Sequence, residues 1–305
     1  MPAVASRLAE AGQGEGSPCR TLPIKCVETV VRLPDPSMQF SFVNTATRLR
    51  NRYGRFMAYR FGRRIYTMRN KEPFISFSFD DFPVSAVAVG GAILRRHGFA
   101  GTYYASLGLM GEDSPTGLIF SSRDLEKLLD DGHELGCHTF AHRHAWETEP
   151  GVFEESVLEN RRALEKLLPG ASFKTMSYPI ACPRPETKRR MAKYFTCCRG
   201  GGQMFNTGPT DLNYLSAFFL EQGRHDPGAV KQMIERNCQA YGWLIFATHD
   251  VCDAHSPFGC TPDFFEDVVQ CAASCGASVL PVGAALEAIS LDISQLAQGG
   301  CEIST

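Results

Sequence analysis

Two adjacent carboxylates, Asp80 and Asp81, close one short apolar run, and two imidazoles spaced four apart, His138 and His142, follow another. His249 and Asp250 close a third run and Pro179 a fourth. Taken singly these features say little. Paired aspartates after a strand often cap a helix or face water, and a lone His after a strand is usually structural. Histidines at i and i+4 lie on one face of a helical turn and can share a metal. The combination is sharper. One carboxylate with two imidazoles forms a facial N₂O set that leaves coordination positions for water and substrate. A second carboxylate next door and a further His across the site supply a base and an acid.

These groups converge only if the elements before them share a rim. The runs at residues 74–79, 101–105, 134–137, 173–178, 195–198, 217–220, 244–248 and 278–280 are short, aromatic or β-branched, and bounded by Gly or Pro, as strands are. Between them, residues 85–97, 122–130, 152–168, 184–194, 227–241, 262–275 and 282–289 have helical spacing. Strand–helix repetition implies a parallel sheet. About seven or eight such units favour closure, so the expected fold is α/β, a distorted (β/α) barrel forming a single catalytic domain. Such folds present their reactive groups at the C-terminal ends of the strands, where all four polar ends named above fall.

The chain has 305 residues, a hydrophobic fraction of 44% and a net charge of −2, which argues against a nucleic-acid binder acting through global charge. Its 12 cysteines include no CxxC pair and read as reduced thiols. The first 20 residues lack an apolar signal core, so the expected location is cytoplasmic. The domain reading is a disordered stretch at 1–20, an extension at 21–72 with a strand at 26–32 and a Pro-rich loop after it, the catalytic barrel at 73–292, and a tail at 293–305.

Four segments resemble motifs of the polysaccharide deacetylase family, also called carbohydrate esterase family 4 or the chitooligosaccharide deacetylase homology domain. Residues 76–83 (SFSFDDFP) resemble its first motif and residues 131–142 (DGHELGCHTFAH) its second. Residues 177–180 (SYPI) resemble a degenerate third motif and residues 246–251 (FATHDV) the last. The resemblance implies Asp80 as general base, Asp81, His138 and His142 as metal ligands, the Ile180 backbone N–H at the oxyanion and His249 as general acid. It implies a divalent ion, with Zn²⁺ expected and Co²⁺, Ni²⁺ or Mn²⁺ compatible. The implied reaction removes an N-acyl group, N-acetyl foremost, from an amino sugar in a glycan or glycan precursor. Competing readings are an amidase or imidase acting on a small non-sugar substrate, and a non-catalytic glycan-binding descendant.

Three positions depart from the family pattern. Phe82 stands where the family has Gly, which would narrow or reshape the site. Ser177 stands where an Arg steadies the base, and Arg199, just after a later strand, is the candidate substitute. The family's fourth-motif Asp has no clear counterpart, with Asp211 and Asp250 as candidates. His133 and Cys137 read as buried and structural, His144 as undecided, and Phe140 and Trp146 as either sugar-stacking or packing residues. Finally, residues 46–71 hold eight Arg, one Lys and no acid, interleaved with aromatics. That composition suits either a solvated packing element or peripheral contact with anionic lipid at the inner membrane face, with a lipid-linked substrate.

Overall fold

The structure, a computed structural model, describes the backbone of residues 36–299 and the side chains of residues 47–291. The stretch at 1–20 and the strand expected at 26–32 lie outside the described residues. The strands are β1 (Ile65–Thr67), β2 (Phe74–Phe79), β3 (Thr102–Ala105), β4 (Asp113–Ser114), β5 (Gly117–Leu118), β6 (Glu134–Cys137), β7 (Thr175–Ser177), β8 (Cys197–Arg199), β9 (Pro209–Asp211), β10 (Phe218–Phe219), β11 (Trp243–Thr248) and β12 (Ser278–Val279). The helices are α1 (Pro36–Arg60), α2 (Ala92–Arg96), α3 (Ser122–Asp130), α4 (Pro150–Leu167), α5 (Pro185–Met191), α6 (Pro227–Gln239), α7 (Pro262–Ser274) and α8 (Val282–Gly299).

Seven strands pair in the order β10-β11-β2-β3-β6-β7-β8, with β12 joined to β2 off that path. All of these pairings are parallel. β2 serves β12 through Phe74 and Ile75, and β3 through Ser78 and Phe79. The sheet curls into a half-barrel. Between its two edge strands, Leu215 N–H donates to the Cys198 carbonyl (2.8 Å) and Gly200 N–H to the Leu215 carbonyl (2.9 Å).

Strand alternation sorts the side chains. β2 and β11 are buried at every position, as expected of parallel strands covered on both faces. Leu244 and Phe246 point outward and pack with Phe77 and Phe265 beneath the helices. Trp243, Ile245 and Ala247 point inward and pack with Val282, Ala285, Leu286 and Ile289 of α8. The start of α8 is tied to the first residues of β3 and β6: Val282 N–H donates to Thr102 Oγ1 and Gly283 N–H to Glu134 Oε2, both at 2.8 Å. α8 therefore plugs the N-terminal end of the barrel and leaves the C-terminal end to the site. Asp80, His138, Ser177, Arg199 and His249 continue the inward series at that C-terminal rim.

Several elements differ from expectation. α1 begins at Pro36, where a Pro-rich loop was expected; a proline in the first helical turn loses no hydrogen bond. The helix expected over 85–97 divides into a π-helical turn, Ala86–Gly91, and α2. α8 runs past 289 to Gly299, into the expected tail. Two antiparallel ladders, β1 with β9 and β4 with β5, are additional.

Candidate functional site

The backbone at the rim is tightly turned. Asp81 has φ +57°, and the Phe82 N–H reaches the Asp80 carbonyl across it at 2.6 Å. The same three-residue turn recurs at Ile180 (φ +67°), where Ala181 N–H donates to the Pro179 carbonyl at 2.7 Å. Phe82, Thr139 and His142 are also left-handed, so five of the seven described non-glycine residues with positive φ sit on these loops. Such residues cost roughly 1–3 kcal/mol each and cluster at functional sites. The loop carrying the two histidines is therefore not the helical turn expected from their spacing; Thr139 and His142 bring the rings together by left-handed backbone instead.

The result is a compact ligand set. Asp81 Oδ1 lies 3.1 Å from His142 Nε2 and 3.7 Å from His138 Nε2. One donor atom from each of the three residues lies within 4.8 Å of the others. His138 Nδ1 is 3.0 Å from the Ser177 carbonyl and 2.6 Å from Ser177 Oγ, which share its N–H, so Nε2 presents a lone pair to Asp81. Burial pushes the His138 pKa down to about 4, which keeps that lone pair free at neutral pH. Asp81 Oδ1 is buried without a hydrogen-bond partner, because the approach of His142 does not meet hydrogen-bond geometry. An orphaned buried carboxylate oxygen is costly. A divalent cation between these three groups would supply the missing partner, and the residues fit one.

Asp80 is held differently. Its Oδ1 accepts from Arg199 Nη2 and, at 3.0 Å, from Ser177 Oγ. Ser177 Oγ also lies 2.6 Å from His138 Nδ1, so one hydroxyl links Asp80 to a ligand histidine. Arg199 is fully buried, with its guanidinium 5.1 Å from the Tyr104 ring centroid and 5.4 Å from that of Phe219. Gly136 makes this possible, since a Cβ there would stand 2.4 Å from the Tyr104 ring. Burial alone would raise the Asp80 carboxyl, but Arg199, His138 and His249 outweigh it and hold the group well below the usual carboxylate range.

Across the mouth, His249 Nε2 is 4.0 Å from Asp81 Oδ2 and its Nδ1 is 3.3 Å from the Phe258 carbonyl. Neither candidate aspartate pairs with it. Asp211 is bound to Lys188 Nζ (2.6 Å), Arg64 N (2.8 Å) and Asn213 N (3.0 Å), pinning β9 to the segment before β1. Asp250 accepts from Ser256 N (2.6 Å) and Oγ (2.5 Å) and shapes its own loop. Besides Asp80 and Asp81, a third carboxylate whose charge interacts with His249 is Glu221, in the 3₁₀ turn directly after β10. Its Oε2 is buried and unpartnered. Burial raises its pKa to about 7, with Asp80 adding to the rise and His249 and Arg199 opposing it. The sequence reading missed Glu221, although the strand expected at 217–220 placed it at the same rim by the rule applied to the other strand ends.

Residues 67–195 match the family model described as polysaccharide deacetylase. Over that stretch the chain is similar to a polysaccharide deacetylase domain. The match takes in Asp80, Asp81, His138, His142, Ser177 and Ile180, while Arg199, Glu221 and His249 lie beyond it. A mutant of peptidoglycan deacetylase PdaC from Bacillus subtilis shares the fold at 15% identity, covering 76% of this chain and 98% of that one, with a TM-score of 0.51. A mutant of a CE4-family pseudoenzyme from Bacillus anthracis shares it at 13% identity, covering 72% and 69%, with a TM-score of 0.51. Curated proteins give no match.

Against the deacetylase pattern, Phe82 does not narrow the site. Its ring turns away into the core, 4.5 Å from the Phe120 centroid and 5.1 Å from that of Tyr103. Arg199 reaches Asp80 from β8, while Ser177 occupies the end of β7. His133 is buried, with Nδ1 accepting from Gly101 N at 3.0 Å, and Cys137 is buried on the outer face of β6. His144 caps its own loop, accepting from Trp146 N and Glu147 N at 3.2 Å. Trp146 packs edge-on against Tyr53, and Phe140 is half-buried.

Proposed function

We propose that this domain is a metal-dependent hydrolase that removes N-acetyl groups from amino sugars. The observation that carries the reading is the Asp81, His138, His142 set, with an orphaned buried oxygen, beside an Asp80 held ionised by Arg199. Asp81, His138 and His142 would hold the ion, with Zn²⁺ first among the candidates. When bound, a divalent ion supplies Lewis acidity, acidifying water and polarising a carbonyl, which suits so weak a base as Asp80.

The remaining roles belong to the chain. Asp80, ionised at any pH near neutrality, takes a proton from the water that attacks the amide carbon. Ser177 and Arg199 fix the orientation of that carboxylate. The Ile180 N–H, on the tight turn after β7, is assigned to the developing oxyanion. The carbon–nitrogen bond then breaks, and His249 delivers a proton to the departing amine. Acetate release from a panel of N-acetylated amino sugars, before and after chelation with verified metal loss, tests the reading. Release that stops on chelation and returns with Zn²⁺ or Co²⁺ is expected. Hydrolysis of small imides with no acetate from any sugar would instead place the chemistry on a non-sugar substrate.

A further inference from the structure

The second half of α1 is built the wrong way round for a helix at home in water. Its small residues face the protein: Ala58 is fully buried, and a Cβ on Gly54 would stand 3.3 Å from Cys182 Sγ and 3.4 Å from the Trp146 ring. Its large residues face out. Leu49, Tyr53, Phe56 and Tyr59 are 63%, 56%, 58% and 42% exposed, and Phe61 and Ile65 continue the series at 45% and 49%. An amphipathic surface helix ordinarily does the reverse.

The charges complete the pattern. At 100° per residue, Leu49 and Phe56 lie about 20° apart at the centre of the outward arc, with Arg60 and Tyr53 about 20° and 40° to one side of Leu49 and Arg52, Arg48 and Arg55 about 60°, 100° and 120° to the other. All four arginines are exposed, and Arg63 and Arg69 extend the field. Among the described residues, none of these six has an acidic partner; Arg50 alone on the helix pairs, with Glu147. Aromatic and aliphatic side chains at the centre of a helix face flanked by arginines match the requirements of an anionic lipid interface, apolar groups entering the acyl boundary and guanidinium groups staying at the headgroups.

The position of this face matters. Gly54 abuts Cys182 and Trp146, and Tyr59 Oη donates to the Gly201 carbonyl at 3.2 Å. Lys188 Nζ donates to the carbonyls of Ala58 and, at 3.0 Å, Phe61. Cys182, Trp146 and Gly201 belong to the loops that follow β7, β6 and β8, the loops that build the catalytic mouth. We infer that the outer face of residues 48–65 docks on an anionic bilayer surface and thereby holds the mouth of the site at that surface. No helix among the described residues is long and apolar enough to cross a membrane, so the contact is peripheral. The inference does not depend on the deacetylase reading, and its test uses no turnover.

The full-length protein is sedimented with vesicles of phosphatidylcholine alone and with vesicles containing about one third phosphatidylglycerol, at low and at raised salt. Binding to the anionic vesicles only, weakened by salt, is expected. Replacing Arg48, Arg52, Arg55 and Arg60 together by Gln should lower the partition coefficient by roughly 10²–10³-fold, from about a factor of five for each arginine near an anionic surface. Leu49→Ser with Phe56→Ser should lower it by about tenfold or more at unchanged charge. Both sets are exposed, and far-UV circular dichroism checks their folding. Indifference to anionic vesicles, or unchanged binding in the arginine variant, would overturn the inference. So would unchanged binding in the Leu49/Phe56 variant together with equally tight binding to single-stranded RNA, which would mark a general polyanion surface.

Discussion

The residues proposed to hold an ion and those proposed to handle protons are secured by different means. Asp81, His138 and His142 are aimed by backbone: a tight turn at Asp81 and left-handed residues at Thr139 and His142 fix them within two short loops. Asp80, Arg199, His249 and Glu221 are aimed by charge and hydrogen bonds between distant strands, with Ser177 and Arg199 reaching Asp80 from 97 and 119 positions away. A set written into local turns should survive the loss of its neighbours. A set held by mutual charge should not. Only Ser177 belongs to both, through Asp80 Oδ1 and His138 Nδ1.

The largest effect is expected on the ion-holding side. His138→Ala should lose both bound metal, measured by elemental analysis, and essentially all turnover, because two donors do not make a site of this kind. Full metal occupancy in that variant would show that the loops do not form the ligand set.

Next in size is Arg199→Met, which should leave the Asp81 set intact while stranding a buried Asp80. Breaking a buried pair by removing one partner costs about 3–5 kcal/mol. Chemical denaturation should show that loss, and Asp80→Asn combined with Arg199→Met should recover much of it. Additive losses in the double variant would mean that the two side chains are not coupled.

Ser177→Ala tests the join between the halves. A hydrogen bond that orients a ligand histidine is commonly worth 10–100-fold in metal affinity. A competition assay with a chelating dye should find a loss of about that size. Wild-type affinity would make the halves independent.

The smallest effect concerns Glu221. Its folded pKa near 7 lies above the 4.5 of the free side chain. The folded chain thus keeps a proton that the unfolded chain releases over that interval. In metal-free protein, stability should fall as pH rises through it, by about 1–2 kcal/mol after allowance for partial exposure. Glu221→Gln should abolish the fall, as compared by urea midpoints at about pH 5 and about pH 8. The same pH dependence in both proteins would remove the raised carboxyl from the account.

The same division governs what could be read from the sequence. The eight barrel strands were legible because each is a short apolar run whose ends carry Gly, Pro or charge, and the ligand set because its residues lie within a few positions of two such ends. Ser177 showed only as a missing Arg, and its contacts with Asp80 and His138 depend on the neighbouring order of β6, β7 and β8, which no local pattern encodes. Glu221 was passed over because β10 is only two residues long and the strand expected at 217–220 was not followed one residue further. The left-handed residues were hidden as well: β-branched Ile180 and bulky Phe82 at positive φ run against local preference, and only the surrounding packing selects them.

The central claim is that Asp80 moves a proton while Asp81, His138 and His142 hold the ion, and Asp80→Asn separates the two directly. The isosteric amide accepts the same hydrogen bond from Ser177 but cannot take a proton. Metal content and acetate release are measured on one sample. Retained metal with a rate loss of about 10²–10⁴-fold, the range of general acid–base groups, is the predicted result. Retained metal with a wild-type rate would contradict the assignment of Asp80.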